Sequence, residues 1–101
     1  MIKKEYLKAS DSVKVIFELP SDVEGQNVYL VGDFNDWKPV HAMERTDECW
    51  HCVVELEPGR DYQFRYLVDG EIWLNDPAAD KYVPNPFGSE NSVVIVVKPE
   101  A

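Results

Sequence analysis

Short runs of alternating apolar and polar residues recur along the chain, and each run is bounded by turn-forming residues. Successive side chains of a β-strand point to opposite faces, so this period of two predicts strands with one buried face. The runs with this period are 12–19, 27–31, 50–56, 61–69 and 71–74. The clearest is 61–69, where one face carries Tyr62, Phe64, Tyr66 and Val68 and the other carries Gln63, Arg65, Leu67 and Asp69.

The rest of the chain supports an all-β fold. Residues 92–98 are apolar almost without interruption, which predicts a strand buried on both faces. The segment 75–91 is rich in Pro and Asn and predicts a loop that is extended around its prolines, with room for a short helical turn near 77–80. Six or seven short strands without a long helix predict an antiparallel β-sandwich of immunoglobulin-like type.

The length of 101 residues leaves room for one domain with one core, and we expect that domain to span residues 12–98. Residues 1–11 have Ile2, Tyr6 and Leu7 as their only large apolar side chains, and they predict either a lead-in strand or a partly ordered arm. The start of the chain is charged and lacks an apolar stretch of signal-peptide length, so the cytoplasm is the expected compartment.

The formal net charge of −9 narrows the classes of partner. Nucleic acids and anionic membranes both bind to basic surfaces, so we expect neither as a partner. No segment approaches the ~20 consecutive apolar residues of a transmembrane helix. The binding of an uncharged sugar does not depend on the sign of this charge.

Cys49 and Cys52 have the spacing of a redox motif, but they lie at the start of a predicted strand. Residues i and i+3 of a strand point to opposite faces and stand about 10 Å apart at roughly 3.3 Å per residue, whereas a disulfide requires less than about 7 Å between Cα atoms. Only His41 and His51 could add nitrogen ligands to a zinc site, which needs four converging groups. We therefore interpret both residues as ordinary cysteines and expect no metal or cofactor.

Two of the tryptophans lie in different sequence contexts. Trp50 shares its predicted face with the apolar residues of the run 50–56, which indicates a position in the core. Trp37 ends a polar turn that follows the strand 27–31. This stretch alone leaves two interpretations open, a ring folded over the edge of the sandwich or an exposed ring that contacts a ligand.

The turn at Trp37 is part of a longer pattern. It reads Val28-x-Leu30-x-Gly32-x-Phe34-Asn35-x-Trp37 and continues with Leu56-x-Pro58-Gly59, Tyr62-x-Phe64-Arg65-Tyr66-x-Val68-Asp69-Gly70, Trp73, Asp76-Pro77 and Phe87-Gly88-x-x-Asn91. In order and spacing, this pattern resembles the glycogen-binding modules of the AMP-activated protein kinase beta subunit, which are shared with the N-terminal domains of isoamylases and branching enzymes. The resemblance covers residues 12–98 and implies an early-set immunoglobulin-like β-sandwich that binds α-glucans.

The resemblance also implies a set of sugar-contacting residues. Trp37 and Trp73 match the two stacking tryptophans of the family, and Arg65 stands where the family has a lysine that hydrogen-bonds sugar hydroxyls. Phe87 stands where the family has a leucine that inserts near the sugar. Ser89 and Asn91 match a threonine and an asparagine that close the site, and one extra residue lies between Gly70 and Trp73.

These side chains suit a sugar on chemical grounds as well. An aromatic ring covers the C–H face of a pyranose, and arginine and asparagine side chains hydrogen-bond its hydroxyls. We therefore predict non-catalytic binding of an α-glucan, such as glycogen, starch or a malto-oligosaccharide, and no enzymatic activity. The alternative is an adaptor of the same fold that binds only protein. A separate glucan-metabolising enzyme or regulatory protein is a further expected partner.

Overall fold

Ten β-strands make up almost all of the regular structure in the computed structural model, which describes residues 2–98. A single 3-10 turn, Asp33–Asn35, follows the third strand. The strands are β1 (Ile2–Leu7), β2 (Ser12–Pro20), β3 (Val28–Gly32), β4 (His41–Ala42), β5 (Glu44–Arg45), β6 (Cys49–Leu56), β7 (Arg60–Val68), β8 (Ile72–Leu74), β9 (Lys81–Pro84) and β10 (Glu90–Val96).

The strands form two antiparallel sheets that pack face to face. One sheet has the order β1-β2-β6-β5, and the other has the order β4-β3-β7-β10-β9, with β8 added beside β7. Side chains from both sheets meet in one core, where the rings of Phe17 and Phe64 lie edge to face at 5.0 Å between centroids. The prediction of an all-β, immunoglobulin-like (early-set) antiparallel sandwich is confirmed.

The alternation of the sequence determines which side chains enter this core. In β2 and β6, every second residue is buried, and Trp50 of β6 is only 3% exposed. Its indole Nε1 donates a hydrogen bond to the carbonyl of Val23 at 3.1 Å, so its polar atom has a partner inside the protein. The predicted core position of Trp50 is confirmed.

Strand β7 is hydrogen-bonded along both of its edges. β3 pairs with residues 64–68 of one edge. β10 pairs with residues 60–64 of the opposite edge, and β8 continues along that same edge at residues 66–68. The face of β7 that points away from the core is therefore flanked by β3 on one side and by β10 and β8 on the other.

Two further parts of the chain form strands: the start of the chain, for which a lead-in strand was one of two expectations, and part of the segment predicted as a loop. Residues Ile2–Leu7 pair with β2 over the whole of β1, and the Lys4 ammonium contacts Asp80 at 2.7 Å, which ties this edge strand to the segment that precedes β9. Within the segment predicted as a loop, Lys81–Pro84 pairs with β10. Near residues 77–80 the chain forms one hydrogen-bonded turn and no helix: Ala79 N donates to the Asp76 carbonyl at 3.4 Å, and Ala78 N donates to Asp76 Oδ1.

A buried polar cluster positions this segment. Asp76 is fully buried; its Oδ2 accepts a hydrogen bond from the Tyr66 hydroxyl at 2.7 Å, and its backbone N–H donates to Ser92 Oγ. The Tyr82 hydroxyl donates to the Asp76 carbonyl. Burial, and then the Asp76 carboxylate, raise the pKa of Tyr66 well above its ordinary value, so the phenol stays protonated as a donor.

The cysteines are both free thiols and lie on different sides of β6. Cys52 belongs to the core, and burial raises the pKa of its thiol. Cys49 is half-buried, and its Sγ lies 3.4 Å from Glu18 Oε2. Within residues 2–98, no group of three His, Cys, Asp or Glu side chains converges as metal ligands would. The same range contains no helix of the length and apolarity needed to cross a bilayer.

Candidate functional site

A groove with a volume of about 570 Å³ lies over the outer face of β7. It combines aromatic, amide and cationic side chains from β7, β8, β10 and the turns that flank β3 and β9. The residues that line it are Trp37, Gln63, Arg65, Trp73, Asn85, Pro86, Phe87 and Asn91. The structure thus brings together five of the six residues implied by the resemblance; the sixth, Ser89, is exposed and outside the lining, and its Oγ accepts a hydrogen bond from Asn85.

The floor of the groove is the outer face of β7. Gln63 and Arg65 alternate with the core residues of β7 and are half-buried, so the predicted outward direction of Arg65 is confirmed. The guanidinium carbon of Arg65 lies 5.9 Å from the ring centroid of Trp73, within the range of a cation–π contact. Arg65 is the one charged residue of the lining, and it forms no ion pair with any residue the structure describes.

Trp37 forms one wall, and a tight backbone turn sets its place. Asp36 and Trp37 have φ values of 56° and 58°, and the backbone N–H of Trp37 donates to the carbonyl of Gly32 at 2.9 Å. The indole Nε1 donates to Oδ1 of Asp33 at 2.9 Å. The ring is half-buried and lines the groove, so it combines both interpretations: it is held against the sandwich edge and still faces open space.

Trp73 lines the groove from β8, at the edge of β7 that β3 does not occupy. The hairpin between β7 and β8 turns through Asp69 and Gly70, which have φ values of 52° and 71°, and Glu71 N donates to the Val68 carbonyl at 3.0 Å. Trp73 pairs with Leu67, so it stands on the same face of the sheet as Arg65. The ring is 42% exposed. The extra residue noted between Gly70 and Trp73 is contained in this hairpin, and the ring still reaches the groove.

The rim is a turn at residues 85–89 that Asn85 holds together. Its Oδ1 accepts hydrogen bonds from the backbone N–H groups of Phe87 at 3.0 Å and Ser89 at 3.2 Å. Its Nδ2 donates to Ser89 Oγ and to Asn91 Oδ1, both at 3.2 Å. The side chain of Phe87 projects from the tip of this turn and is 92% exposed.

Asn91 connects the rim to the floor. It is only 9% exposed, and its Nδ2 donates to Gln63 Oε1 at 3.0 Å. Much of the hydrogen-bonding capacity that we expected Asn91 to offer a ligand is therefore used inside the protein.

Three lining residues were absent from the predicted set: Gln63, Asn85 and Pro86. The alternation of 61–69 already placed Gln63 on the face of Arg65, so this residue could have been found from the sequence. Asn85 and Pro86 lie in a segment that we predicted only as a loop, where no periodicity indicates which side chains face the site.

The arrangement favours binding over chemistry. Two indole walls and an exposed phenyl ring suit a flat, weakly polar ligand, and the amides and the guanidinium suit its hydroxyl groups. The eight lining residues include no carboxylate, whereas glycoside hydrolysis requires a pair of them across the bond.

Comparison with known proteins agrees with this chemistry. The family described as the glycogen recognition site of AMP-activated protein kinase matches residues 8–101. The chain is 32% identical over 74 residues to the 5'-AMP-activated protein kinase subunit beta-1 of Sus scrofa, a match that covers 73% of this chain and 57% of that protein. The corresponding human subunit is 27% identical over 105 residues, which cover 95% of this chain and 37% of that protein.

Two further relatives have names that refer to a glucan or to the chloroplast. The 1,4-alpha-glucan branching enzyme GlgB of Lactobacillus acidophilus is 37% identical over 78 residues, which cover 72% of this chain and 11% of that enzyme. The chloroplastic protein FLOURY ENDOSPERM 6 of Oryza sativa subsp. japonica is 31% identical over 90 residues, which cover 88% and 16% of the two chains.

The chain thus spans little more than half of the first of these relatives and smaller parts of the others. The family match covers nearly the whole chain, and the module that it describes is a recognition domain without catalytic function. This chain belongs to the family of glycogen-recognition modules found in AMP-activated protein kinase.

Proposed function

We propose that this chain binds an α-glucan in the groove over β7 and performs no chemistry on it. The observation that carries the proposal is the convergence of Trp37, Arg65, Trp73, Phe87 and Asn91 on one groove of a glycogen-recognition module. These residues are far apart in the sequence, and the sheet pairing of β7 with β10 and β8 brings most of them together.

The two indoles supply the apolar surface for the sugar. Trp37 follows β3 at one edge of β7 and Trp73 stands on β8 at the other edge, and both line the groove, so a bent chain of glucose units can stack one ring on each. Arg65 lies between them on the floor and donates to hydroxyls without a competing carboxylate in the lining. Phe87 extends the apolar surface at the rim, where Ser89 supports the turn that carries it.

For the whole protein, we propose an adaptor role. Glycogen, starch or malto-oligosaccharide is the glucan partner, and a separate glucan-metabolising enzyme or regulatory protein is the protein partner. Two of the relatives are a kinase subunit and a glucan branching enzyme by name, which supports a role beside other catalytic units. The absence of enzymatic activity in the whole protein and its location in the cytoplasm remain predictions.

Retention on insoluble starch or glycogen tests the proposal. The wild-type protein should be retained and should be released by soluble maltoheptaose, whereas Trp73→Ala should pass through. Ile72→Ala is the matched control, because Ile72 is an exposed apolar residue of the same short strand that does not line the groove. A folded wild-type protein that is not retained would overturn the proposal in favour of an adaptor that binds only protein.

A further inference from the structure

The turn at residues 85–89 determines which way its own asparagine points. The backbone N–H groups of Phe87 and Ser89 both lie against Asn85 Oδ1, at 3.0 and 3.2 Å. A backbone N–H can only donate, so the atom that faces both of them must be the amide oxygen. The amide nitrogen of Asn85 is therefore turned towards Ser89 and Asn91.

The orientation of the Asn85 amide fixes that of Asn91 and, through it, that of Gln63. The nitrogen of Asn85 lies 3.2 Å from Asn91, so the atom of Asn91 that faces it must be an acceptor, Oδ1. The nitrogen of Asn91 then faces Gln63 at 3.0 Å and requires Oε1 there. We call the three residues Asn85, Asn91 and Gln63 the amide relay.

The relay ends with a donor on the groove floor. Since Gln63 Oε1 accepts from Asn91, the Nε2 group of Gln63 is its free end, and it has no hydrogen-bond partner within residues 2–98. Gln63 lines the groove two residues before Arg65, on the same face of β7. The Arg65 guanidinium likewise carries donors only. The floor therefore offers N–H groups to a ligand, while each oxygen of the relay already accepts a hydrogen bond inside the protein.

We propose that Gln63 contacts the glucan directly as a hydrogen-bond donor and that Asn85 is a positioning residue that sets this polarity through Asn91. The inference rests on the proposed function. The floor recognises the lone pairs of a sugar, those of hydroxyl, ring or glycosidic oxygens, rather than its hydroxyl protons.

The variant Gln63→Glu tests the contact with little change of shape. A glutamate oxygen still accepts the hydrogen bond from Asn91, but its other oxygen replaces the donor with an acceptor. Binding of maltoheptaose, measured by calorimetry, should weaken by about 10-fold or more, the scale of one lost hydrogen bond together with an unmatched acceptor. Gln26→Glu is the control for the added charge, because Gln26 is exposed on a loop and does not line the groove.

The variant Asn85→Asp tests the relay. Its carboxylate still accepts from Phe87 N and Ser89 N, so the turn is kept, but it no longer donates to Asn91. Asn91 should then reverse, and Gln63 should turn its oxygen to the groove. In the free protein, the side-chain amide NMR signals of Gln63 and Asn91 should shift, and maltoheptaose affinity should fall by about 3- to 10-fold.

A double-mutant cycle separates positioning from a merely structural effect. In a Gln63→Met background, the loss caused by Asn85→Asp should largely disappear, because the donor that it orients is already gone. Equal losses in both backgrounds would overturn the relay. Wild-type affinity in Gln63→Glu, with wild-type binding intact, would overturn the contact. A wild type that binds no glucan would overturn the proposed function and this contact with it, and unshifted amide signals in Asn85→Asp would independently overturn the relay.

Discussion

The carboxylate of Asp33 joins the ring of Trp37 to the floor of the groove. One of its oxygens accepts the indole N–H of Trp37 at 2.9 Å, and the other accepts the backbone N–H of Gln63 at 2.8 Å. A single short side chain thus sets the distance between the Trp37 wall and β7. Because hydrogen bonds to a charged acceptor are stronger than neutral ones, this link restrains a ring that would otherwise move with its turn.

Replacing Asp33 by asparagine should weaken both the fold and the site. The two donors approach different oxygens of Asp33, and asparagine replaces one of those oxygens with an NH2 group, so either Trp37 or Gln63 N loses its partner. We expect the free energy of unfolding to fall by about 1–3 kcal/mol, the usual range for a hydrogen bond to a charged group. Urea denaturation and glucan calorimetry measure the two effects.

The neighbouring substitution Asp36→Asn is the control for Asp33→Asn. Asp36 is exposed and has a φ of 56°, a conformation that asparagine adopts readily. Both variants remove one negative charge from the same turn. Equal loss of glucan affinity in the two variants would show that the charge, rather than the link to Trp37, is responsible.

The three tryptophans should separate binding from stability. Trp37→Ala and Trp73→Ala should each weaken glucan binding by about 1–3 kcal/mol, the scale of an aromatic anchor, and leave the protein folded. Trp50→Ala should lower the free energy of unfolding by about 3–5 kcal/mol, because it leaves a cavity in the core. Tryptophan fluorescence during glucan and denaturant titrations records both quantities. Unchanged affinity in both groove variants, with lowered stability, would make these rings structural.

Gly32 should tolerate no side chain. A Cβ there would stand 2.5 Å from the carbonyl oxygen of Gln63 and 2.8 Å from Phe64 Cβ. Its φ of −173° is ordinary extended backbone, so the constraint is space rather than conformation. Gly32→Ala should cost about 1–3 kcal/mol of stability, because β3 must move away from β7. A thermal unfolding midpoint equal to that of wild type would contradict this.

The periodicity of the sequence was sufficient to predict the sandwich and the outward face of β7, including Arg65. It also predicted Trp50 correctly, because a buried face repeats every second residue. It could not predict the strand Lys81–Pro84, since this strand is short, carries prolines nearby and gains its pairing from β10. The intrinsic strand preference of the residues is weak for such an edge strand, so tertiary contacts determine whether the strand forms.

The role of Asn85 could not be predicted from the sequence, for a different reason. Its side chain acts on two backbone N–H groups of its own turn and on an amide six residues later. Such contacts depend on turn geometry, which the residue types alone do not specify. The family pattern indicated Asn91 but not Asn85 and Gln63, the two amides that hydrogen-bond with it.

The free energy of unfolding should fall in mild acid, and Asp80 and Glu18 are two of the carboxyl groups that contribute to this loss. Burial opposes the ionisation of Asp80, but hydrogen bonds from Lys4 and from the backbone N–H of Ile95 outweigh it and lower the pKa. The hydrogen bond from Lys3 lowers the pKa of Glu18. A folded-state pKa below the ordinary value of about 4 stabilises the fold above that pH, and this contribution is lost as the pH falls through the folded-state value.

Thermal unfolding between neutral pH and pH of about 3 measures this loss of stability. The variant Lys4→Met isolates the contribution that Asp80 makes to it. The variant should show a shallower decline below pH of about 4, because the pKa of Asp80 then rises towards its ordinary value. Lys8→Met is the matched control, since Lys8 is exposed in the turn after β1. Identical pH profiles for the wild type and Lys4→Met would remove the Lys4–Asp80 pair from the explanation.

Binding of a neutral glucan should change little with salt. Such a ligand releases no counterions, and Arg65 is the one charged side chain in the lining. Affinity for maltoheptaose should stay within about twofold between low and moderate ionic strength, because hydrogen bonds to uncharged hydroxyls are weakly screened. A steep fall with added salt would indicate an anionic ligand instead.

The pairing of β7 along both of its edges determines which part of the site loses conformational entropy on binding. Gln63 and Arg65 stand on a strand whose backbone is fixed by β3, β10 and β8 before any ligand arrives. Phe87 stands on a turn and is almost wholly exposed, so its side chain loses most of its rotational freedom only when a ligand covers it. The unfavourable entropy of complex formation therefore comes mainly from the rim. Stiffening the turn at residues 85–89 would raise affinity without adding a contact.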